Sequence, residues 1–131
     1  MARYSPAAKL DQEHRIVRIS VTGVVEAREH QLQYEEITRS YPSWNRLWDF
    51  RDADLSQLSE SDLASIADFA AQREDPKERP RVALLVGRNV DFGVSRMYEV
   101  LAEERYSATF SVFRDEAAAE RWLSARDDPE D

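Results

Sequence analysis

The stretch "RVALLVGRNVDFG", residues 81–93, decides the fold. Residues 82–86 are five apolar side chains in a row, with no polar residue between them. A strand that is apolar on both faces belongs inside a sheet that helices cover on each side. Gly87 ends the run, and apolar residues then recur at helical spacing over residues 89–104, at Val90, Val94, Met97, Tyr98 and Leu101. The stretch therefore predicts a central strand followed by a helix with a buried stripe.

The rest of the chain repeats this alternation. Downstream, "ATFSVF" (108–113) predicts a strand, and Asp115 can cap a last helix over 116–123 with Ala119, Trp122 and Leu123 inward. Upstream, the sequence predicts a helix over 26–41, a strand over 45–51 and a helix behind Ser59. Ser59 and Asp62 have the spacing of a capping box, and Leu63 and Ile66 begin the buried stripe of that helix.

A hairpin precedes these units. In residues 17–22 apolar and polar side chains alternate, which predicts a half-exposed strand near a sheet edge, paired with a first strand before Asp11. The order β-β-α-β-α-β-α-β-α predicts an α/β domain with a largely parallel sheet covered by helices. We expect its core to include Leu63, Ile66, Leu85, Met97 and Leu101.

Length and composition set further bounds. With 131 residues, one domain over residues 1–125 is expected, followed by an acidic, frayed tail over 126–131. The net charge of −8 disfavours nucleic acid, since phosphate binding needs a concentrated basic face. There is no cysteine, and the two histidines are far apart, so neither a metal nor another cofactor is expected. No signal peptide or membrane-spanning run is found, so we expect a cytoplasmic protein without membrane insertion.

The order of elements resembles the STAS domain of anti-sigma-factor antagonists, and more closely their SpoIIAA-like relatives. The likeness covers nearly the whole chain. It rests on "RISVTGVV" before the first helix, "RVALLVG" as central strand, and "SRMYEVLAEE" followed by "SATFSVFRDEAAAERWL" at the end. It implies the STAS fold and a regulatory or docking module, not an enzyme. The SpoIIAA-like relatives are also likened to lipid carriers of the SEC14 type, which would imply an apolar pocket.

The resemblance further implies a phosphorylated serine at the start of the second helix. There the antagonists have a turn of the D-S-S-G kind, whereas this chain reads "DLSQLSESDL". It offers Ser56, Ser59 and Ser61 as candidates but has neither the paired serine nor the glycine. Capping alone explains Ser59, and Glu60 and Asp62 would repel an added phosphate.

Polar side chains gather where the predicted strands end. In open α/β sheets ligands lie beyond the carboxyl ends of the strands, near a topological switch point. The candidate residues for a ligand or partner at this edge are Arg51, Asp54, Arg88, Asn89, Asp91 and Arg114. The three arginines could form a basic spot on an acidic protein. Alternatively, Asn89 or Asp91 caps the next helix and the arginines bridge to nearby aspartates, with no ligand.

The sequence thus favours a non-enzymatic, protein-binding STAS-like module whose partner it does not name. A carrier of a lipid or other apolar ligand is the second hypothesis, and an enzyme is a distant third because no acid–base pair has a fixed geometry. Whether Phe92, Met97 and Tyr98 line a cavity or pack solidly separates the first two. A homodimer is left open. Of the three tryptophans, Trp44 after Pro42 is the one expected to be exposed.

Overall fold

The computed structural model describes residues 3–75 and 77–125, so the predicted tail over 126–131 lies outside the described residues. The strands are β1 (Ser5–Asp11), β2 (Ile16–Val24), β3 (Asn45–Asp54), β4 (Arg81–Leu85) and β5 (Thr109–Phe113). The helices are α1 (Ala27–Ser40), α2 (Glu60–Arg73), α3 (Asn89–Glu103) and α4 (Glu116–Ser124). The predicted order of nine elements is confirmed.

The five strands form one sheet in the order β1-β2-β3-β4-β5. β1 and β2 pair antiparallel as a hairpin, and the other three pairs are parallel. The middle strand is therefore β3. The prediction that residues 82–86 form the central strand is wrong in this respect, although β4 is interior and paired on both sides.

The two faces of the sheet are covered unequally. On one face, side chains of all three helices α1, α2 and α3 pack in a large core with Ile19, Trp48, Leu84 and Phe110 of the sheet. On the other face α4 alone packs a small core, in which Ala119 and Leu123 meet the strand residues Ile16, Leu47, Ala83 and Leu85. β4 is buried on both faces, as its unbroken apolar run predicts.

α3 is the element on which the sequence prediction fails. Val90 and Met97 are 49% and 46% exposed, although the helical spacing assigned both to the core, and Leu101 is only half-buried. The buried residues of α3 are Asp91, Ser95 and Ala102, a polar and small-residue stripe. Val94, Tyr98 and Leu101 of the predicted stripe pack against the large core, whereas Val90 and Met97 point outward.

The predicted N-caps are confirmed for two helices, α2 and α4, and not for α3. Ser59 and Asp62 form the capping box of α2, with Ser59 Oγ accepting from Asp62 N–H at 3.0 Å and Asp62 accepting from Ser59 N–H at 2.9 Å. Asp115 accepts from Ala118 N–H at 3.0 Å and caps α4. Neither Asn89 nor Asp91 caps α3; its N-cap is Arg88, without a side-chain hydrogen bond.

Two tryptophan predictions also need correction. Trp122 is half-buried beside Phe113 at the border of the small core. Trp44 is half-buried as well, because it packs 5.3 Å from the ring of Tyr41 and carries the guanidinium of Arg15 over its face. Both rings are thus packed partly against their own chain.

The small core under α4 should be sensitive to a cavity. We expect Leu85→Ala, at a side chain that is 0% exposed, to lower the free energy of unfolding by roughly 2–5 kcal/mol. The matched control is Leu32→Ala on α1, where the side chain is 49% exposed and the change should stay within about 0.5 kcal/mol. Urea unfolding measures both, and equal losses would contradict the placement of β4.

Candidate functional site

The carboxyl ends of β3, β4 and β5 bring three segments together. These are residues 51–62, 87–91 and 114–116, and we call them the carboxyl rim. Arg51 and Glu116 pair across it at 2.8 Å, and the guanidinium of Arg114 lies 4.7 Å from the centre of the Phe92 ring. The predicted site residues of the three strand ends therefore do meet at one edge of the sheet.

Arg88 is held between two carboxylates at this rim. It donates to Asp91 through Nε at 2.7 Å and Nη2 at 3.0 Å, and also from Nη2 to Asp54 at 2.9 Å. These bonds with Asp91 and then Asp54 raise the pKa of Arg88. The carboxylate of Asp54 also accepts from the hydroxyl and N–H of Ser56 and from Arg88, which lowers its pKa to about 2. Asp54 is thus ionised at neutral pH.

Asp91 has the most structural role of the rim residues. Its side chain is buried, and Oδ1 accepts the backbone N–H of Leu55 at 3.1 Å. It therefore ties the first turn of α3 to the loop after β3. Asp91 is the third residue of α3, inside the helix, and so is not its N-cap.

The other arginines have partners of different kinds. Arg51 donates to Asp49 at 2.8 and 3.0 Å as well as to Glu116. Arg114 is exposed and has the Phe92 ring as its contact, and Asn89 is exposed at the first position of α3. Two of the three arginines are therefore already paired with carboxylates within the protein.

The charge balance of the rim contradicts the basic spot that the sequence suggested. Three arginines face seven carboxylates there, those of Asp52, Asp54, Glu60, Asp62, Asp91, Asp115 and Glu116. Among the residues described, Asp52 and Glu60 are exposed and take part in no ion pair. An open depression of about 350 Å³ lies between Arg51 and Arg88, with Asp52 on its wall. The rim is acidic.

The three candidate serines lie on or beside the same acidic loop. The hydroxyl of Ser56 donates to Asp54, Ser59 is engaged in the capping box, and Ser61 is exposed in the first turn of α2. Glu60 and Asp62 flank Ser61 in the chain, and Glu60 also follows Ser59. The phosphorylation of the three serines stays a prediction.

A crevice runs between the sheet and the layer of α1, α2 and α3. Its volume is about 40 Å³, room for about three water molecules by that measure. Phe92, Met97 and Tyr98 are the residues whose packing distinguishes a docking module from a ligand carrier. Tyr98 lines the crevice, whereas Met97 is exposed and Phe92 packs under Arg114. The space is too small for an acyl chain unless the helices part.

His30 lines this crevice at the covered side of α1. Its imidazole lies 4.7 Å from the ring of Trp48, and its Nδ1 shares a hydrogen bond of 3.2 Å with the hydroxyl of Tyr4. Burial lowers its pKa to about 4, so it is neutral at pH 7. It behaves as a core aromatic, and its role is structural.

A buried ion pair at the opposite end of the sheet was missed by the sequence analysis. Arg46 at the start of β3 is 0% exposed and donates to the carboxylate of Glu74, which also accepts from the hydroxyl of Tyr34. The pairing joins β3, the end of α2 and α1. No local signal could have revealed it, because the two charges lie 28 residues apart in the chain.

The described residues offer neither a metal site nor a membrane-spanning helix. Within residues 3–75 and 77–125, no three histidines, cysteines or carboxylates are grouped so as to hold a metal ion. No helix in this part of the chain has the length and apolarity needed to span a membrane.

The fold is SpoIIAA-like, as the resemblance implies. The chain is similar to the crystal structure of an uncharacterised protein of the DUF3478 family with a SpoIIAA-like fold from Shewanella loihica PV-4. The sequences are 17% identical, the match covers 92% of this chain and 93% of the other, and the TM-score is 0.57. No family model and no curated protein matches the sequence.

The bond between Asp91 and the Leu55 N–H yields a prediction. Asp91→Ala leaves a buried donor without its acceptor, and we expect it to lower the free energy of unfolding by about 1–3 kcal/mol. Asp54→Ala removes the more exposed of the two carboxylates that pair with Arg88, and it should lower the free energy of unfolding by about 0–1 kcal/mol. Chemical denaturation distinguishes them; a larger loss for Asp54→Ala would reverse the roles assigned here.

The buried imidazole predicts a loss of stability in mild acid. Since the pKa of His30 falls from 6.5 to about 4 on folding, the unfolded chain binds the proton first. The contribution of neutral His30 to the free energy of unfolding is complete above pH 6.5. It is lost as the pH falls towards 4, by roughly 1 kcal/mol per pH unit.

The test compares urea unfolding at pH 7.5 and pH 5 in wild type and two variants. His30→Phe keeps an aromatic ring but cannot bind the proton. The difference in its free energy of unfolding between pH 7.5 and pH 5 should therefore be smaller than in wild type, whatever its stability at pH 7.5. His14→Gln is the control, because the exposed His14 has its pKa raised by its hydrogen bond to Asp11 and acts in the opposite direction. An undiminished loss in His30→Phe would contradict the assignment.

Proposed function

We propose that this protein is a non-enzymatic binding module of the STAS kind, and that its partner is a protein that presents basic side chains to the carboxyl rim. The observation that carries the proposal is the charge balance of the rim. Arg51 and Arg88 are neutralised from within, while Asp52 and Glu60 remain exposed. We expect a lysine or arginine of the partner to pair with the exposed carboxylate of Asp52 or Glu60.

The state of the polar groups argues against chemistry at this edge. A catalytic group must be within reach of the substrate and free to take or give a proton. Here the carboxylate of Asp91 accepts a hydrogen bond from a backbone N–H. The carboxylate of Asp54 accepts hydrogen bonds from Ser56 and Arg88, and the hydroxyl of Ser59 caps the start of α2. Each of these side chains is committed to positioning the loop after β3. Such a loop is suited to present a surface.

Charge complementarity of this kind chiefly sets the association rate and the choice of partner. At physiological ionic strength, interactions between exposed charges fade beyond about 8 Å. The complex should therefore weaken with added salt. A partner with an acidic or uncharged face would not follow this dependence.

The experiment compares two charge-reversal variants in affinity purification from the native cells, with quantitative mass spectrometry. Asp52→Lys/Glu60→Lys reverses the unpaired charges of the rim. Glu13→Lys/Glu36→Lys is the matched control, since both of these carboxylates are exposed and lie away from the rim, in the hairpin turn and on α1.

We expect a specific partner to be retained by wild type and by the control, and lost by at least about tenfold from the rim variant. Its binding to purified wild type should also weaken with salt. A partner that both variants retain equally would overturn the proposal, and so would one whose affinity is indifferent to salt.

A further inference from the structure

The outward face of α3 has the spacing of a helix that pairs with another helix. Val90, Met97 and Val100 are 49%, 46% and 54% exposed, and they account for three of the five large apolar side chains exposed among the described residues. With Gly93 they follow one another at intervals of three and four residues. This is the a and d pattern of a two-helix seam.

Gly93 lies in the middle of this face. A glycine inside a helix weakens it relative to alanine, so its presence calls for a reason. Packing within the chain supplies none: a Cβ atom built at Gly93 would meet nothing within 4 Å. A flat spot on an exposed apolar stripe is where the backbone of a second helix can come close.

The residues beside the stripe select the occupant. On one side Val94 and Leu101 pack against the protein's own core, so that flank is closed. On the other side Arg96 and Glu103 are both exposed, seven residues apart. Within one copy Arg96 pairs with Glu99 at 3.3 Å, and Glu103 accepts from the N–H of Phe110 at 3.4 Å, so both would exchange a partner of their own for one in the second copy. When two copies of α3 run antiparallel with Met97 beside Val100 of the second copy, each Arg96 comes opposite the Glu103 of the other. The face is self-complementary in charge.

We propose that α3 mediates a homodimer, in which two copies of the helix pair antiparallel through Val90, Gly93, Met97 and Val100. A parallel pairing would set Arg96 beside the closed flank and would leave Glu103 without a cation. The helix has 15 residues, and a seam of this length buries less than the about 1,200 Å² of a standard interface. The dimer is therefore weak and concentration-dependent. It shares Val90 with the carboxyl rim but neither Asp52 nor Glu60, the two residues tested there, so either proposal can fail alone.

Sedimentation equilibrium tests this on the full chain, from low micromolar to about 1 mM protein. About 150 mM salt is used so that the repulsion between two copies of charge −8 is screened. We expect wild type to shift from monomer to dimer over this range. Met97→Glu should abolish the shift, and Leu32→Glu, a change of equal exposure on α1, should preserve it. Thermal melting verifies that both variants are folded.

Charge reversal tests the antiparallel register. Arg96→Glu alone and Glu103→Arg alone each place like charges opposite one another, and each should weaken self-association at least about tenfold. An equimolar mixture of the two variants pairs opposite charges on both sides and should dimerise again, as should the double variant. Wild type that stays monomeric at the highest concentration overturns the dimer. Mixing that restores nothing overturns the antiparallel pairing.

Discussion

The order of the strands is the constraint from which the other features of this molecule follow. Each parallel strand is added next to the preceding one, with no reversal, and α1, α2 and α3 all lie on one face. Among the described helices, only α4 covers the other. The described sheet therefore lacks the switch point between parallel strands at which a doubly wound sheet opens a crevice for a ligand.

The same constraint gives α3 its unusual orientation. As the last helix of a one-sided layer, it packs against α2 on one flank and leaves its other flank uncovered. Its inward face must fit between β4, β5 and the loop after β3, and Asp91, Ser95 and Ala102 occupy that space. Val94, Tyr98 and Leu101 pack against the core beside them, and Val90, Met97 and Val100 are left outside. Both proposed surfaces, the rim and the stripe, arise at the border of this layer.

The sequence predicted what depends on short stretches of chain. The run over residues 82–86 gave the burial of β4, and the capping residues gave the starts of α2 and α4. It failed where the answer depends on distant residues. Spacing showed that α3 has an apolar stripe, but not that the stripe containing Met97 faces solvent. Arg88 is neutralised by Asp54, 34 residues away, and no local pattern reveals that pairing.

The buried pair of Arg46 and Glu74 makes the stability of β3 depend on α2. A lone guanidinium in the core costs several kcal/mol, so β3 cannot settle into the sheet with Arg46 inside until its counter-charge is present. Glu74 follows the last residue of α2, just over halfway along the chain. The folded arrangement of β3 is therefore stable only when the end of α2 is in place, so this ion pair couples the stability of the sheet to that of the helix layer.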